Sequence, residues 1–339
     1  MLTGLYSLTH FLVDFTCAYL IFFRLRGSDF WLVSLITYNF FAFAMQMPLG
    51  VVADAVNHNR LFACIGCLMI ILSPFLIEVP ILFCGVLGSG NALFHIGAGR
   101  DVLLRSGKSY TALGLFVSPG AIGLFLGTLC GISEILPQYA VLSLLFADAA
   151  ALYILIPKLR TKLSAESEAV LVPKRPFRDF SIMLICLILV VCLRSYVGAT
   201  LTFPWKSEGS FALFLVISVV MGKAAGGFLA DHFGALKTVF ASLLLSSVLF
   251  LFYKTPICGI IAVFLFNMSM PITLGAVRQL MPQRLGFGFG LLTFGLFLGI
   301  VPVFLNFNKL LVMPYGYTLA AVISSGLLYY GLKEQSHAA

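Results

Sequence analysis

Long apolar runs recur along almost the whole 339-residue chain, and they constrain its fold more than any other feature. A helix needs about 20 consecutive apolar residues to cross a bilayer. Runs of about that length are separated here by short breaks of glycine, proline or charge. Twelve membrane-spanning helices are predicted, at residues 3–23, 31–53, 61–77, 79–98, 110–132, 137–157, 180–203, 210–230, 237–253, 256–277, 286–306 and 313–332.

The composition supports helices in a membrane. Hydrophobic residues make up 60% of the chain and charged residues 10%, whereas about a quarter of a soluble globular domain is charged. Strands of a membrane barrel would show short segments of alternating polarity, which the long continuous runs do not. We therefore predict an all-α integral membrane protein.

The chain divides into two halves around its longest polar stretch, residues 158–179. We predict an N-terminal six-helix bundle at 1–157, a cytoplasmic linker at 158–179 and a C-terminal six-helix bundle at 180–339. Aligning the segments after the second and eighth spans supports this division. The alignment pairs Gly50 with Gly227, Ala53 with Ala230, Asp54 with Asp231, and Arg60 with Lys237. Two pseudo-symmetric halves are typical of secondary transporters.

Lysine and arginine are distributed unevenly between alternate loops, and this sets the predicted orientation. Most lie in the loops that face the cytoplasm if the first helix starts inside, as the positive-inside rule requires. Both termini are therefore predicted to be cytoplasmic, in a multi-pass protein of the cell's cytoplasmic (inner) membrane. The net charge of +8 then reflects membrane topology and does not indicate a nucleic-acid partner.

The segment "GGFLADHFGALK" resembles the loop signature of the major facilitator superfamily at Gly227, Leu229, Ala230, Asp231, Gly234 and Lys237. The first copy, "PLGVVADAVNHNR", departs from the signature, with Asn57 in place of the second glycine. "THFLVDF" near the N-terminus and "GSGNALFHIGAGRDVLLRSGKSYTALGLF" at 88–116 resemble the fosmidomycin-resistance-like branch of that superfamily. In the second half, "LRSYVGATLTF" and "MPITLGAVRQLMPQRLGFGFGLLTFG" agree with this branch. The resemblance implies the major facilitator fold and favours export of a small solute.

Ionisable residues inside spans are costly, and they are functional candidates by default. His10 and Asp14 lie four residues apart and so share one helix face. We predict that Asp14 carries a proton and that His10 assists it; the alternative is a pair that packs against a neighbouring helix. Asp148 is either a second proton site or a hydrogen-bonding residue between helices.

Three further residues are predicted to bind the solute. The guanidinium of Arg194 suits a carboxylate or phosphate, although the side chain could instead extend to the membrane surface. His95 and Asn91 form another pair four residues apart, and they contact the solute or cap a helix end.

A cytoplasmic gate is predicted around the repeated loops. There, Asp54 and Asp231 would accept backbone N–H groups at helix ends or pair with arginine, with Arg100 and Arg284 as candidates. The alternative is that these are ordinary loop charges, which the repeated pattern disfavours more for Asp231 than for Asp54. The predicted gate residues are Gly50, Asp54, Arg60, Arg100, Gly227, Asp231, Gly234 and Lys237.

Together these features predict a proton-coupled secondary transporter that exports a small organic solute, anionic or drug-like, by alternating access. An importer or uniporter of an organic anion would use the same residues. A membrane receptor or scaffold that transports nothing is the alternative of another class. The chain contains no G-x-x-x-x-G-K-[ST] nucleotide motif and no clustered catalytic residues, so an enzyme is not predicted. The predicted partners are a small solute, protons and lipid, with no cofactor or metal, and the protein is expected to be a monomer.

Overall fold

The structure is a computed structural model that describes residues 2–160, 177–307, 309–311 and 313–332. Within these residues the chain forms 12 helical segments. They are α1 (Leu2–Leu25), α2 (Trp31–Val56), α3 (Asn59–Leu76), α4 (Pro80–Arg105), α5 (Thr111–Ser133), α6 (Gln138–Arg160), α7 (Phe177–Thr200), α8 (Phe211–Phe233), α9 (Ala235–Leu251), α10 (Pro256–Leu280), α11 (Leu285–Phe304) and α12 (Tyr315–Leu332).

Among the described residues, 10 of these helices are long and apolar enough to cross a membrane. The other two are α9, which is apolar but has only 17 residues, and α12. Large apolar side chains such as Phe75 and Phe228 are exposed on the helices, as a lipid environment requires. The prediction of an all-helical, multi-pass membrane protein is confirmed. The arrangement of twelve spans in two six-helix bundles stays a prediction.

Three helices change their geometry shortly before a proline. Proline has no N–H, so the carbonyl four residues earlier loses its helical hydrogen bond. The helix adjusts there by a wider turn or a break. The three cases are the π-helical turn Phe40–Ala44 before Pro48, the break at Ser118 before Pro119 and the break at Met268 before Pro271.

The described residues cluster into two compact units. The first unit contains α1 to α4, α6, the Pro119–Ser133 part of α5 and the residues of α11 up to Phe294. In this unit α1 packs along Pro119–Ser133, and α3 packs along α4.

The second unit contains residues 106–118, α7 to α10, α12 and the residues of α11 from Gly295 onwards. Here α9 packs on α12, α8 packs on α10 and on the Thr111–Val117 part of α5, and α7 packs on α12. These units are defined by contacts, so the predicted division into homologous halves at 1–157 and 180–339 stays a prediction. Most of the predicted linker at 158–179 lies outside the described residues.

Helix α4 continues to Arg105, although the sequence predicts a span ending at 98. The additional turns carry Arg100 and Asp101, which looked too polar for a span. Both are buried and both have partners: Arg100 pairs with Asp54, and Asp101 accepts a hydrogen bond from Tyr6. Because their charge is compensated inside the protein, the helix does not end where they begin.

Candidate functional site

Four polar side chains meet in the first unit, between the middle of α1 and the middle of α4. His10 Nε2 lies 3.2 Å from Asp14 Oδ2, and His95 Nε2 lies 3.7 Å from Asp14 Oδ1. Asn91 Nδ2 donates a hydrogen bond of 3.2 Å to Asp14 Oδ1. We call these four residues the His–Asp cluster. The sequence assigned them to two separate tasks, proton coupling and solute binding, whereas the structure places them together.

The His–Asp cluster is largely shielded from solvent. The side chains of His10 and His95 are 8% and 12% exposed, and that of Asp14 is 21% exposed. Asn91 is buried, and its Oδ1 has no hydrogen-bond partner among the described residues. Such groups are expensive to bury in an apolar fold, so their joint burial calls for a function or a compensating network.

Helix α5 leaves room for the cluster at Gly120. A Cβ atom at this position would fall on His10 Nε2 and Asp14 Oδ2. Any larger residue at position 120 would therefore displace the imidazole and the carboxylate. The glycine-rich segment of α5 thus provides one wall of the polar cluster.

The described residues contain one group that could hold a metal ion, and it consists of His10, Asp14 and His95. Their candidate ligand atoms lie within 4.8 Å of one another. Two atoms bound to one Zn²⁺ at about 2.1 Å are at most about 4.2 Å apart, so ligand atoms separated by up to 4.8 Å would have to move closer together to bind one ion. The prediction that the chain uses no metal stays a prediction.

Arg194 lies in the second unit, inside α7, where it is buried. Its Nη1 donates a hydrogen bond of 3.4 Å to the Thr273 hydroxyl of α10. Among the described residues no carboxylate lies within ion-pair distance of the guanidinium. A buried guanidinium with one long bond to a neutral group is under-compensated, and an anion would be its natural partner.

Asp148 lies on α6, away from the His–Asp cluster in sequence but in the same unit. Among the described residues, its carboxylate has a hydrogen bond with the Thr9 side chain of α1, whereas its Oδ2 is buried without a partner. The residue therefore links α6 to α1 and still has an unsatisfied oxygen. Both interpretations of Asp148 from the sequence, as a proton site and as a bond between helices, stay open.

Asp231, at the end of α8, binds the beginning of α5. Its carboxylate accepts hydrogen bonds from Ser109 Oγ at 2.8 Å and from the backbone N–H groups of Tyr110 at 2.6 Å and Thr111 at 2.9 Å. The first N–H groups of a helix have no partner within the helix, and the helix dipole favours an anion there. Asp231 satisfies both requirements from another helix.

Asp54, at the end of α2, binds the beginning of α11 in the same way. The backbone N–H groups of Gly286 and Phe287 donate to its Oδ1 and Oδ2 at 2.8 and 2.9 Å. Arg100 Nε also donates to Asp54 Oδ1, at 2.7 Å. The two aspartates that the sequence alignment pairs thus make equivalent contacts, each within its own unit. We call these contacts the Asp54 cap and the Asp231 cap.

The chain leaves α2 and α8 through residues with a left-handed backbone. Asn57 has φ 56° and Gly234 has φ 90°, and their N–H groups donate to Ala53 and Ala230. Asparagine tolerates this conformation better than most residues, which explains how Asn57 replaces the glycine of the signature. Its side chain also accepts a hydrogen bond from Arg100 Nη1 at 2.7 Å.

Gly50 and Gly227 allow the backbones beside the caps to approach closely. A Cβ at Gly50 would meet the carbonyl oxygen of Gly286, and a Cβ at Gly227 would meet that of Tyr110. These two predicted gate residues are therefore next to the helix ends that the aspartates bind.

Other residues predicted for the gate lie elsewhere. Arg60 Nη1 is 3.4 Å from the carbonyl oxygen of Tyr153, and its guanidinium carbon is 4.7 Å from the centre of the Tyr153 ring. Lys237 and Arg284 are exposed. No contact links these three side chains to the aspartates in the part of the chain that the structure describes, so they are not part of the caps.

Arg278 contacts the loop that precedes α5, and the sequence analysis did not single it out. Its Nη1 donates to Ser106 Oγ at 2.5 Å and to the carbonyl of Ser109 at 3.2 Å. Tyr110 packs against its guanidinium and accepts a hydrogen bond of 3.0 Å from Gln279. Burial raises the pKa of the Tyr110 hydroxyl, although the charge of Arg278 opposes the shift. The sequence did contain a signal for Arg278, because it lies near the end of α10 as Arg100 lies near the end of α4.

Asp101 was also missed by the sequence analysis. It is 1% exposed, and it accepts hydrogen bonds from Tyr6 at 3.0 Å, Asn59 at 3.3 Å and Arg105 at 3.2 Å. Asn59 accepts in turn from Arg100 at 2.8 Å. Tyr6 lies one turn before His10 on α1, so this network extends from the Asp54 cap towards the His–Asp cluster. The spacing of Asp101 and Arg105, four residues apart, was the signal in the sequence.

Comparison with known proteins identifies the fold. A crystal structure of the major facilitator superfamily transporter FucP in the outward conformation covers 97% of this chain and 96% of that one, with TM-score 0.65 and 12% identity. A variant of the fucose:proton symporter FucP of E. coli covers 97% of each chain, with TM-score 0.64 and 13% identity. No family model and no curated protein sequence matches the chain. The resemblance to the fosmidomycin-resistance-like branch stays a prediction, and the fold is that of the major facilitator superfamily.

Proposed function

We propose that this protein is a secondary transporter that moves a small organic solute across the cytoplasmic membrane by alternating access, coupled to protons. The observation that carries the proposal is the His–Asp cluster, in which a carboxylate and two imidazoles lie together, largely shielded from solvent, in the middle of α1 and α4. Intramembrane ionisable groups of this kind serve ion and proton pathways in transporters. The fold is compatible, because solved transporters of the major facilitator superfamily share it.

Asp14 is the proposed proton carrier, with His10 as its partner. A carboxylate can hold or release one proton, and an imidazole 3.2 Å away can donate to it or receive from it. Asp148 is the second proposed proton site, because one of its buried oxygens lacks a partner.

Arg194 is proposed to hold an anionic group of the solute. The described structure offers its guanidinium only the neutral Thr273 hydroxyl. A carboxylate or phosphate would accept two parallel hydrogen bonds from the guanidinium and neutralise its charge. The predictions that Asn91 and His95 contact the solute stay predictions.

The Asp54 and Asp231 caps are proposed to act as the cytoplasmic gate. Each cap joins the end of one helix to the beginning of another through two backbone N–H groups. These contacts depend on geometry and can be made or broken as a unit, which suits a two-state element. With both termini in the cytoplasm, as the distribution of positive charge predicts, the caps face the cytoplasm.

Export is the proposed direction, and it rests on the resemblance found in the sequence. Import of an organic anion with protons is the second candidate. A receptor or scaffold would bind a partner without solute flux. The protein is proposed to act as a monomer.

Proton movement in proteoliposomes tests this proposal. Purified protein is reconstituted with a pH-sensitive dye, and a panel of carboxylates, phosphate esters and amphiphilic drugs is added. We expect solute-dependent proton flux in the wild type, loss of that flux in Asp14→Asn, and full flux in Asp29→Asn, which changes an exposed loop carboxylate. The direction of the flux distinguishes export from import. Undiminished coupling in folded Asp14→Asn would overturn the assignment of Asp14, and no flux with any solute would favour the receptor.

A further inference from the structure

We infer that the His–Asp cluster is a binding site for one divalent transition-metal ion, held by His10, Asp14 and His95. The inference goes beyond the proposed function, because it assigns to the cluster a ligand that is neither a proton nor the organic solute. It is opposed to the prediction, made from the sequence, that the chain uses no metal. Metal binding is measured at equilibrium and without any transport.

The three ligand atoms are close enough to reach one ion. His10 Nε2 lies 3.2 Å from Asp14 Oδ2, and His95 Nε2 lies 3.7 Å from Asp14 Oδ1. In a tetrahedral site with metal–ligand distances of about 2.1 Å, neighbouring ligand atoms are about 3.4 Å apart. Three atoms within 4.8 Å of one another also lie within about 2.8 Å of a common point, so each has to move by about 0.7 Å or less. Small rotations about the side-chain bonds supply a movement of this size.

A hydrogen bond orients His95 as a metal ligand. Its Nδ1 lies 2.9 Å from the backbone carbonyl oxygen of Asn91, one turn earlier on α4. A carbonyl oxygen only accepts, so the neutral imidazole carries its hydrogen on Nδ1 and a lone pair on Nε2. Histidines that bind metals are held in the same way, by a hydrogen bond from the other ring nitrogen to a carbonyl or carboxylate oxygen. The nitrogen of His95 that approaches Asp14 is therefore the one that is able to bind a metal ion.

Asn91 provides further support around the ligands. Its Nδ2 donates a hydrogen bond of 3.2 Å to Asp14 Oδ1, and carboxylates that bind metals are usually hydrogen-bonded in this way. Its Oδ1 has no hydrogen-bond partner among the described residues, although Asn91 is only 2% exposed. A buried acceptor of this kind calls for a donor or a cation. A half-turn about the terminal side-chain bond exchanges the two amide atoms and brings this oxygen beside Asp14 as a fourth ligand.

The charge of Asp14 also calls for a cation. In the part of the chain that the structure describes, its carboxylate has the two imidazoles within ion-pair distance and no lysine or arginine. A shielded carboxylate without a permanent positive partner is costly, and a bound metal ion removes that cost. The side chain of Asp14 is 21% exposed, more than either imidazole, so an ion can reach the cluster through the carboxylate.

The ligand atoms determine which class of metal ion fits. Imidazole nitrogen suits zinc, copper, iron and nickel, whereas Mg²⁺ and Ca²⁺ prefer oxygen ligands alone. Two imidazoles with one carboxylate therefore favour a divalent ion of the first transition row. Zinc is the appropriate probe, because it accepts this ligand set and has no redox chemistry.

Zinc binding to the purified protein tests this inference. Protein without an affinity tag is stripped of metal with a chelator and titrated with Zn²⁺ in detergent, in competition with a fluorescent indicator. We expect one tightly bound equivalent in the wild type, and an affinity at least about 100-fold weaker in His95→Gln and in Asp14→Asn. His58→Gln and His232→Gln, at exposed positions, are the matched controls and should bind zinc like the wild type. No tight equivalent in the wild type, or an equal loss in the controls, would mean an adventitious surface ion only and would overturn the inference.

X-ray absorption of the zinc-bound wild type identifies the ligands without any substitution, so its result does not depend on how a variant folds. We expect nitrogen and oxygen at about 2.0–2.2 Å from the zinc, with the scattering pattern of two imidazoles. Sulfur at about 2.3 Å would place the ion at cysteine thiolates and would contradict the site.

The proton-flux assay separates this inference from the proposed function. If the wild type shows solute-dependent proton flux but binds no zinc at the cluster, the inference fails and the proposed function stands. If zinc binds through His10, Asp14 and His95 but no solute produces coupled flux, the proposed function fails and the metal site stands.

Discussion

Substitution of Arg194 tests whether this residue lowers the stability of the protein while it serves solute binding. The guanidinium is buried within α7, and its described partner is a neutral hydroxyl 3.4 Å away. Placing an arginine at the centre of a membrane helix costs about 2.5–3.5 kcal/mol on insertion scales, and one long hydrogen bond returns about 1 kcal/mol. Arg194→Met removes the charge and keeps a flexible apolar side chain that favours helix. We therefore expect the variant to be more stable by about 2 kcal/mol, although it should lose transport of an anionic solute.

The measurement is thermal unfolding of the purified protein in detergent, followed by the binding and transport assays. Arg178→Met is the matched control, because Arg178 is exposed at the start of the same helix. We expect this control to stay within about 0.5 kcal/mol of the wild type, as for most surface substitutions. A lower unfolding temperature for Arg194→Met would refute the reasoning, since it would mean that the guanidinium makes net favourable contacts in the empty protein. Arg194→Lys should keep the charge and still bind the anion more weakly, because lysine lacks the planar fork.

Three further substitutions test the caps and the cluster. Asp231→Ala removes the acceptor of three hydrogen bonds at the start of α5, so we expect a loss of about 1–2 kcal/mol in unfolding experiments, and a smaller loss for Asp231→Asn, which keeps one oxygen. Gly120→Ala places a methyl group on the His–Asp cluster and should cost about 1–3 kcal/mol together with proton coupling, whereas Gly4→Ala, where the added carbon meets nothing within 4 Å, should be neutral. Asn57→Val forces a β-branched residue into a left-handed backbone conformation with φ 56°, so we expect it to lower the free energy of unfolding by about 1–2 kcal/mol. Equal unfolding temperatures of Asn57→Val and Asn57→Gly would contradict this, because they would mean that the backbone at position 57 does not need φ 56°.

The two caps explain why aspartate recurs at matching positions in an otherwise divergent repeat. A helix begins with N–H groups that nothing in the helix accepts, and a carboxylate accepts two of them at once. In the first unit the same carboxylate also neutralises Arg100. In the second unit the serine hydroxyl of the preceding loop joins it instead. The shared element is thus the backbone geometry, and the surrounding side chains are free to differ.

Much of the architecture followed from the sequence alone. The period and length of the apolar runs predicted membrane helices at the observed places, because a bilayer demands about 20 apolar residues whatever the tertiary structure. Spacing also placed His10 with Asp14 and Asn91 with His95 on common helix faces, since residues four apart on a helix are neighbours. The predicted end of α4 was too early, because the charge of Arg100 is compensated by Asp54 inside the protein and does not end the helix.

Tertiary structure decided which of these faces meet. Nothing in the spacing of either helix indicated that His95 would face Asp14, because that contact depends on how α1 and α4 pack and on the space that Gly120 leaves. For Asp54 and Asp231 the sequence predicted backbone N–H partners at helix ends, but which helices supply those N–H groups depends on the packing, because backbone groups leave no trace in side-chain identity. The spacing of residues along the sequence determines where helices form and which of their faces are polar. Which polar faces come into contact depends on how helices that are distant in sequence pack together.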